Sequence, residues 1–256
     1  MDTCGIAENA VSAKRSSSCG NLKIGVLGGI GPEATGEFYC KLIKELQKRK
    51  LIKRNSDYPN IIVNSIPAPE LVFDKISRSE LKPYIDGLKF LDRCGVDFIV
   101  MVCNTIHLHY DELQARIRTP ILDLRAACKK TIAGKKRVMV IGTPSTIKLG
   151  LYEFPEIEYE RLTEKEMAQI SGSILKFNRG EQARISDICR KHRGAQMILA
   201  CTEISMMLKK ENIPNISTLE ILVDATADKF ESLKYDGRQD KIKRSRLISQ
   251  KKPGIK

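Results

Sequence analysis

Two cysteines occupy matching places in this chain, and that match limits the folds open to it. Cys103 follows the apolar run Phe98–Val102, and Cys201 follows Met197–Ala200. Each run is short enough to be a buried strand and is followed by polar residues and then a helical pattern. Around each of them the order of elements repeats. Lys23–Leu27 (KIGVL) reads as a strand, followed by the turn Gly28–Ala34 (GGIGPEA) and a helix to about residue 49. Phe38, Leu42 and Leu46 give that helix one apolar stripe. Asn60–Ile66 reads as a strand, 78–94 as an amphipathic helix closed by Gly95, and 106–118 as a helix. The order then restarts with the strand Arg137–Ile141, the turn Gly142–Thr146, helices over 164–176 and 181–192, and the strand leading into Cys201. Strands alternating with helices predict parallel sheets with right-handed crossovers.

The fold class expected is therefore α/β, with two pseudo-symmetric domains and a ligand site in the cleft between them. Each domain has a central parallel sheet flanked by helices. Ligands of open α/β sheets bind at the carboxyl ends of the strands, which is where both cysteines fall. The expected divisions are a leader at 1–21, a first domain of 22–120 plus 218–235, a second of 121–217, and a basic disordered tail at 236–256. Thr218–Val223 is read as a last strand that returns to the first domain and closes it.

Charge is unevenly spread. Residues 238–256 hold eight Lys and Arg against Asp240 alone, more than half of the net +13. A solubilising tail is the favoured reading, with weak, salt-sensitive RNA binding as the minority one. Aromatic residues make up 5% of the chain and Trp is absent, which disfavours stacking platforms for single-stranded nucleic acid. No apolar run reaches the roughly 20 residues of a membrane helix.

The first 21 residues hold no apolar signal core, and Asp2 and Glu8 argue against a transit peptide, although Arg15 and Ser16–Ser18 keep one open. A cytoplasmic location with free thiols is expected. There is no CxxC pair, and the three histidines are poorly spaced for zinc, so no metal is expected. Cys40, Cys94, Cys128 and Cys189 fall in helical patterns and read as core fillers. His109 and His192 read as surface residues.

Gly29-Ile30-Gly31-Pro32-Glu33-Ala34 fits G-x-G-x-x-A between a strand and a helix. A dinucleotide site also needs an acidic residue after the second strand. That strand ends Val63-Asn64-Ser65-Ile66, and Pro32 removes an amide that would hold phosphate. Gly31 and Pro32 are read as a loop that approaches a small substrate closely, and no cofactor is expected.

A thiol at a helix N-terminus sits in a positive field that favours the thiolate. Two such thiols facing each other can take a proton from one face of a carbon and return one to the other. Asn104 and Thr105 supply polar groups for an α-carboxylate, or simply cap the helix. Thr202 has the same two readings. Glu203 is a first-turn charge or a contact for a substrate amine. Thr143, Ser145 and Thr146 fit either turn chemistry or binding, and His107 is a tuning group for Cys103 or a satisfied structural histidine.

Together IGVLGGIGPEAT, VCNTIH, VIGTPST and GAQMILACTEI followed by LVDAT resemble the aspartate/glutamate racemase family, in its aspartate racemase branch. The resemblance covers about residues 22–227. It implies a cofactor-independent isomerase, often a homodimer, acting on a small-molecule amino acid with Cys103 and Cys201 as the acid/base pair. Asn104, Thr105, Thr143 and Thr202 are implied as carboxylate ligands, and the branch implies L-aspartate as substrate. Aspartate-specific relatives carry a Pro-Asp-Arg stretch and a Lys before a Gly. This chain has Ile66-Pro67-Ala68-Pro69-Glu70 and Phe177-Asn178-Arg179-Gly180 at those places. A broad-specificity or hydantoin racemase is the alternative within the superfamily. A related decarboxylase needs only one of the thiols. From other classes, a nucleotide-linked oxidoreductase and a catalytically idle binding protein are the alternatives.

Overall fold

The computed structural model describes residues 21–69, 71 and 77–250. Residues 1–20 of the expected leader lie outside the described residues. The first half opens with β1 (Lys23–Gly28), α1 (Pro32–Lys48), β2 (Asn60–Ser65), α2 (Arg78–Arg93) and β3 (Phe98–Met101). A 3₁₀ turn (Thr105–His109), α3 (Tyr110–Gln114) and α4 (Leu124–Ile132) lead into the second half. That half contains β4 (Arg137–Gly142), α5 (Pro144–Lys148), β5 (Glu158–Glu160), α6 (Glu164–Asn178), α7 (Ser186–Lys191), β6 (Gln196–Ala200), α8 (Thr202–Met207) and β7 (Asn215–Ser217). The last helix is α9 (Thr218–Gln250).

Both sheets are parallel. The first has the order β2-β1-β3 and the second β5-β4-β6-β7. Val26 stands opposite Val63 and Val100, and Val140 stands opposite Ile198. Helices cover these strands on both faces, which is why β3, although last in its sheet, is buried at all four positions and β4 at five of six. Phe38, Leu42 and Leu46 of α1 are fully buried, and they share one continuous core with β4, β6 and Phe230 of α9. The opposite face of the first sheet carries a separate core around Tyr84, Leu88, Leu91 and Ile99. The two sheets are thus joined through the α1–α9 side.

Local chemistry sets the helix starts. Pro32 occupies the first turn of α1, where its missing N–H has no partner to lose. Ser77 and Glu80 form a capping box on α2, and Thr163 and Glu166 form another on α6.

Three elements differ from expectation. Thr218–Val223 is helical, not a strand. Leu219, Leu222, Val223, Ala227 and Phe230 are buried along one face, a helical spacing that a six-residue window hides. The short β7 precedes it and pairs with β6 in the second sheet, so the chain returns to α1 as a helix. The expected helix 106–118 is a 3₁₀ turn followed by a short α3. Its first bond, from His107 N–H to the Asn104 carbonyl, spans three residues, and Pro120 disfavours helix at the residue before it. The helix expected over 181–192 shortens to α7, preceded by Gly180 at φ 73°.

The last helix, α9, packs on α1 and α4. Against the expectation of a disordered tail from 236, α9 continues to Gln250. No proline occurs between Thr218 and Pro253, and Lys, Arg and Gln are good helix formers. Among the described residues no helix is long and apolar enough to cross a membrane.

Candidate active site

A cavity of about 200 Å³ opens where the two halves meet. The first half contributes the Gly29–Pro32 loop, Ala68, Pro69, Leu71 and Cys103–Thr105. The second contributes Thr143, Ile174, Asn178 and Cys201–Glu203. Gly31, Pro32, Cys103, Asn104, Thr105, Thr143, Cys201, Thr202 and Glu203 therefore line one space, whereas Ser145, Thr146 and His107 stand behind it. It is smaller than the roughly 300–1,000 Å³ of drug-sized sites and suits a single small metabolite.

The two thiols are held differently. Cys201 is the N-cap of α8, and its Sγ donates to Glu203 Oε2 at 2.9 Å. The Thr202 hydroxyl donates to the same oxygen at 3.0 Å. Cys103 lies between β3 and the 3₁₀ turn, with the backbone amides of Ile106 and Thr105 acting on its sulfur. Those amides favour the thiolate, as the helix-terminus argument expects, but they are outweighed. Burial and the Glu203 carboxylate push the Cys103 thiol up to about 12. Burial first, then Glu203, puts Cys201 well above its ordinary value. Burial and the nearby carboxylate thus favour the protonated form of both sulfurs, against the thiolate-favouring field of the helix starts.

Gly31 is explained by this carboxylate. Its φ is 89°, in the left-handed region, and a Cβ there would sit 2.1 Å from Glu203 Oε1. Glu203 therefore reaches across the cavity from the second half to the first-half loop. It is buried, and it faces the ligand space as well as the dipole of its own helix.

Hydroxyls join the halves at the cavity floor. Thr105 Oγ1 lies 2.9 Å from Thr143 Oγ1 and 3.1 Å from Thr146 Oγ1, and the last two are 3.1 Å apart. Thr143 also caps α5 through the Thr146 amide, so the turn reading and the site reading both hold for it. The Asn104 Oδ1 accepts from Tyr152 at 2.5 Å, which orients the amide. Its buried Nδ2 has no protein partner. A buried donor left unpaired is costly, and a ligand oxygen would satisfy it.

His107 does not touch a thiol. Its Nδ1 lies 2.8 Å from the Cys103 carbonyl, so Nδ1 carries the proton that makes this bond. Burial lowers its pKa and keeps the ring neutral. It positions the Cys103 backbone. His192 is nearly buried between Glu160 and Glu166, far from a plain surface residue. Of the four helical cysteines, Cys128 and Cys189 fill core, while Cys40 is exposed and Cys94 half-buried. Among the described residues no group of three His, Cys, Asp or Glu is placed to hold a metal ion.

Several residues of the site carry no local signal. Leu71 and Ile174 look like ordinary core positions in sequence and reach the cavity only through tertiary packing, and Tyr152 acts on it through Asn104. Tyr84 is another. It is fully buried, and its hydroxyl donates to the Pro69 carbonyl at 2.5 Å, which fixes the wall at Pro69.

A two-domain α/β protein with paired thiols in an interdomain cavity belongs to a narrow class. The sequence profile of the Asp/Glu/Hydantoin racemase family matches residues 27–226. The chain belongs to this family, and it is an isomerase of the racemase type. It is 28% identical to the broad-specificity amino-acid racemase RacX of Bacillus subtilis, over 81% of this chain and 97% of that protein. Among solved structures it resembles an aspartate racemase homologue from Pyrococcus horikoshii, with TM-score 0.62 and 25% identity over 82% of this chain and 98% of that one. It also shares the fold of the Picrophilus torridus aspartate racemase, with TM-score 0.65 and 23% identity over 82% and 95%.

Proposed function

We propose that the protein racemises a free α-amino acid by two-base proton transfer between Cys103 and Cys201, without a cofactor. The observation that carries the reading is the pair of buried thiols, one from each half, on a single amino-acid-sized cavity. Glu203 suits the substrate ammonium. The Asn104 Nδ2 and the hydroxyls of Thr105, Thr143 and Thr202 suit its carboxylate. These donors stabilise the negative charge that gathers on the carboxylate as the α-carbon loses its proton.

The chemistry needs one thiolate and one thiol. An ammonium held by Glu203 offsets the charge that raises both sulfurs, so substrate binding itself promotes the first ionisation. The thiolate removes the α-proton, and the opposite thiol delivers a proton to the other face. The two sulfurs exchange roles for the reverse direction.

The substrate named by the aspartate branch is L-aspartate. The reading here is the wider one, an α-amino-acid racemase, which is also what RacX is called. The test is incubation of the reduced protein with single L-amino acids in D₂O, following α-deuteration and formation of the D-enantiomer. Cys103→Ser and Cys201→Ser should each lower racemisation by about 10²–10⁴-fold, the usual scale of acid–base catalysis. Full activity in either variant overturns the two-thiol mechanism.

A further inference from the structure

The racemase reading leaves the substrate side chain open, and the cavity walls bear on it. We infer that the site takes amino acids with uncharged, mainly aliphatic side chains and discriminates against L-aspartate. This inference rests on the racemase reading of the same cavity.

The charges of the site are already matched by the amino-acid core. Glu203 is its carboxylate and pairs with one ammonium. The unpaired Asn104 Nδ2 and the threonine hydroxyls take one carboxylate. What remains for the side chain is the wall of Ala68, Pro69, Leu71 and Ile174, closed at its outer edge by the exposed Asn178. Leu71 is 5% exposed and Ile174 is 1% exposed. Among the described residues no Lys or Arg lines the cavity.

A second carboxylate placed against this wall would lose water and gain no counter-charge, and it would stand in the same small space as Glu203. A cationic side chain would compete with the α-ammonium for that one carboxylate. An aliphatic chain replaces water on an apolar surface at no such cost. The wall is also preformed, because Tyr84 holds the Pro69 carbonyl.

The experiment compares kcat/KM for α-deuteration of L-alanine, L-valine, L-leucine, L-aspartate, L-glutamate and L-lysine by the full-length, reduced protein. At least one aliphatic substrate should exceed L-aspartate, L-glutamate and L-lysine by tenfold or more. An acidic or cationic substrate that equals or exceeds the aliphatic ones overturns the inference and leaves the racemase reading standing. No exchange with any amino acid overturns the racemase reading, and this inference with it. Asn178→Lys supplies an independent arm, since it adds a cation at the outer edge of the wall. It should raise the aspartate-to-alanine ratio of kcat/KM by at least tenfold. An unchanged or lower ratio would mean that the side chain does not lie along this wall.

Discussion

The Sγ of Cys201 lies 2.9 Å from Oε2 of Glu203, two residues further along the chain. Burial makes this thiol hold its proton, and the carboxylate beside it adds to the effect. The carboxylate that suits a substrate ammonium therefore also works, together with burial, against a free thiolate. Cys103 feels this charge without bonding to the carboxylate, and backbone amides oppose the shift at both sulfurs. The two sulfurs are chemically unequal even though the halves that carry them are alike.

Glu203→Gln removes the charge and keeps the shape. The pKa of Cys201 should fall, and that of Cys103 should fall by less, because only Cys201 touches the side chain. Alkylation by a small haloacetamide, followed by peptide mass spectrometry between about pH 8 and 11, reads each thiolate separately. The alkylation curve of Cys201 should move to lower pH. A curve that stays in place, or moves higher, would show that burial alone sets the thiol.

Gly31→Ala tests the approach of Glu203 from the other side. The new Cβ meets Glu203 Oε1 at 2.1 Å, on a residue at φ 89°. The left-handed backbone costs an alanine about 1–2 kcal/mol. Displacing Glu203 should lower kcat/KM for α-deuteration by about 10²-fold, the scale of an ångström-sized misplacement. A thermal melt distinguishes this from unfolding, since the domain should still melt cooperatively, a few degrees lower.

The Thr105, Thr143 and Thr146 hydroxyls satisfy one another between the halves, and all three are at most 4% exposed. Thr105→Val keeps the volume and removes one member. Loss of the hydroxyl should destabilise the protein by about 1–2 kcal/mol. Thr105→Val combined with Thr146→Val should cost less than the sum of the two single changes, because the bonds are shared. Urea denaturation of the four proteins measures this, and strict additivity would mean that the hydroxyls act independently.

What could be read from the sequence followed from periodicity. Val100, Val102 and Cys103 announce a strand end, as do Leu199, Ala200 and Cys201, and a parallel α/β fold brings such ends together. That was enough to place both thiols on one cavity. The state of those thiols was not legible, because it depends on where the Glu203 carboxylate points and how deeply both sulfurs are buried. The same holds for Leu71, Ile174 and Tyr152, whose roles arise from contacts distant in sequence. Thr218–Val223 was misread for a different reason. Six apolar-rich residues look alike as strand or helix, and the spacing that decides between them continues through Phe230.

Outside the cavity, His192 joins three elements. Its Nδ1 faces Glu160 of β5 at 2.5 Å and its Nε2 faces Glu166 of α6 at 3.0 Å, while Lys191 also bonds Glu166 at 2.7 Å. Burial works to lower the His192 pKa, but the two carboxylates together outweigh it and raise it above 6.5. Such a group stabilises the fold below its ordinary value, and the contribution is lost as pH rises through the raised one. Glu166 behaves oppositely. Lys191, the Thr163 amide and His192 hold it below 4.5, so its contribution is present above that value and lost as pH falls. The cluster is therefore most stabilising between about pH 4.5 and 6.5. His192→Ala should cost about 1 kcal/mol in that window, after allowance for solvent screening. The gap to the unaltered protein should narrow on either side of it. Urea midpoints of the two proteins across this range check the sign, and a gap that widened steadily with rising pH would assign His192 a neutral packing role instead.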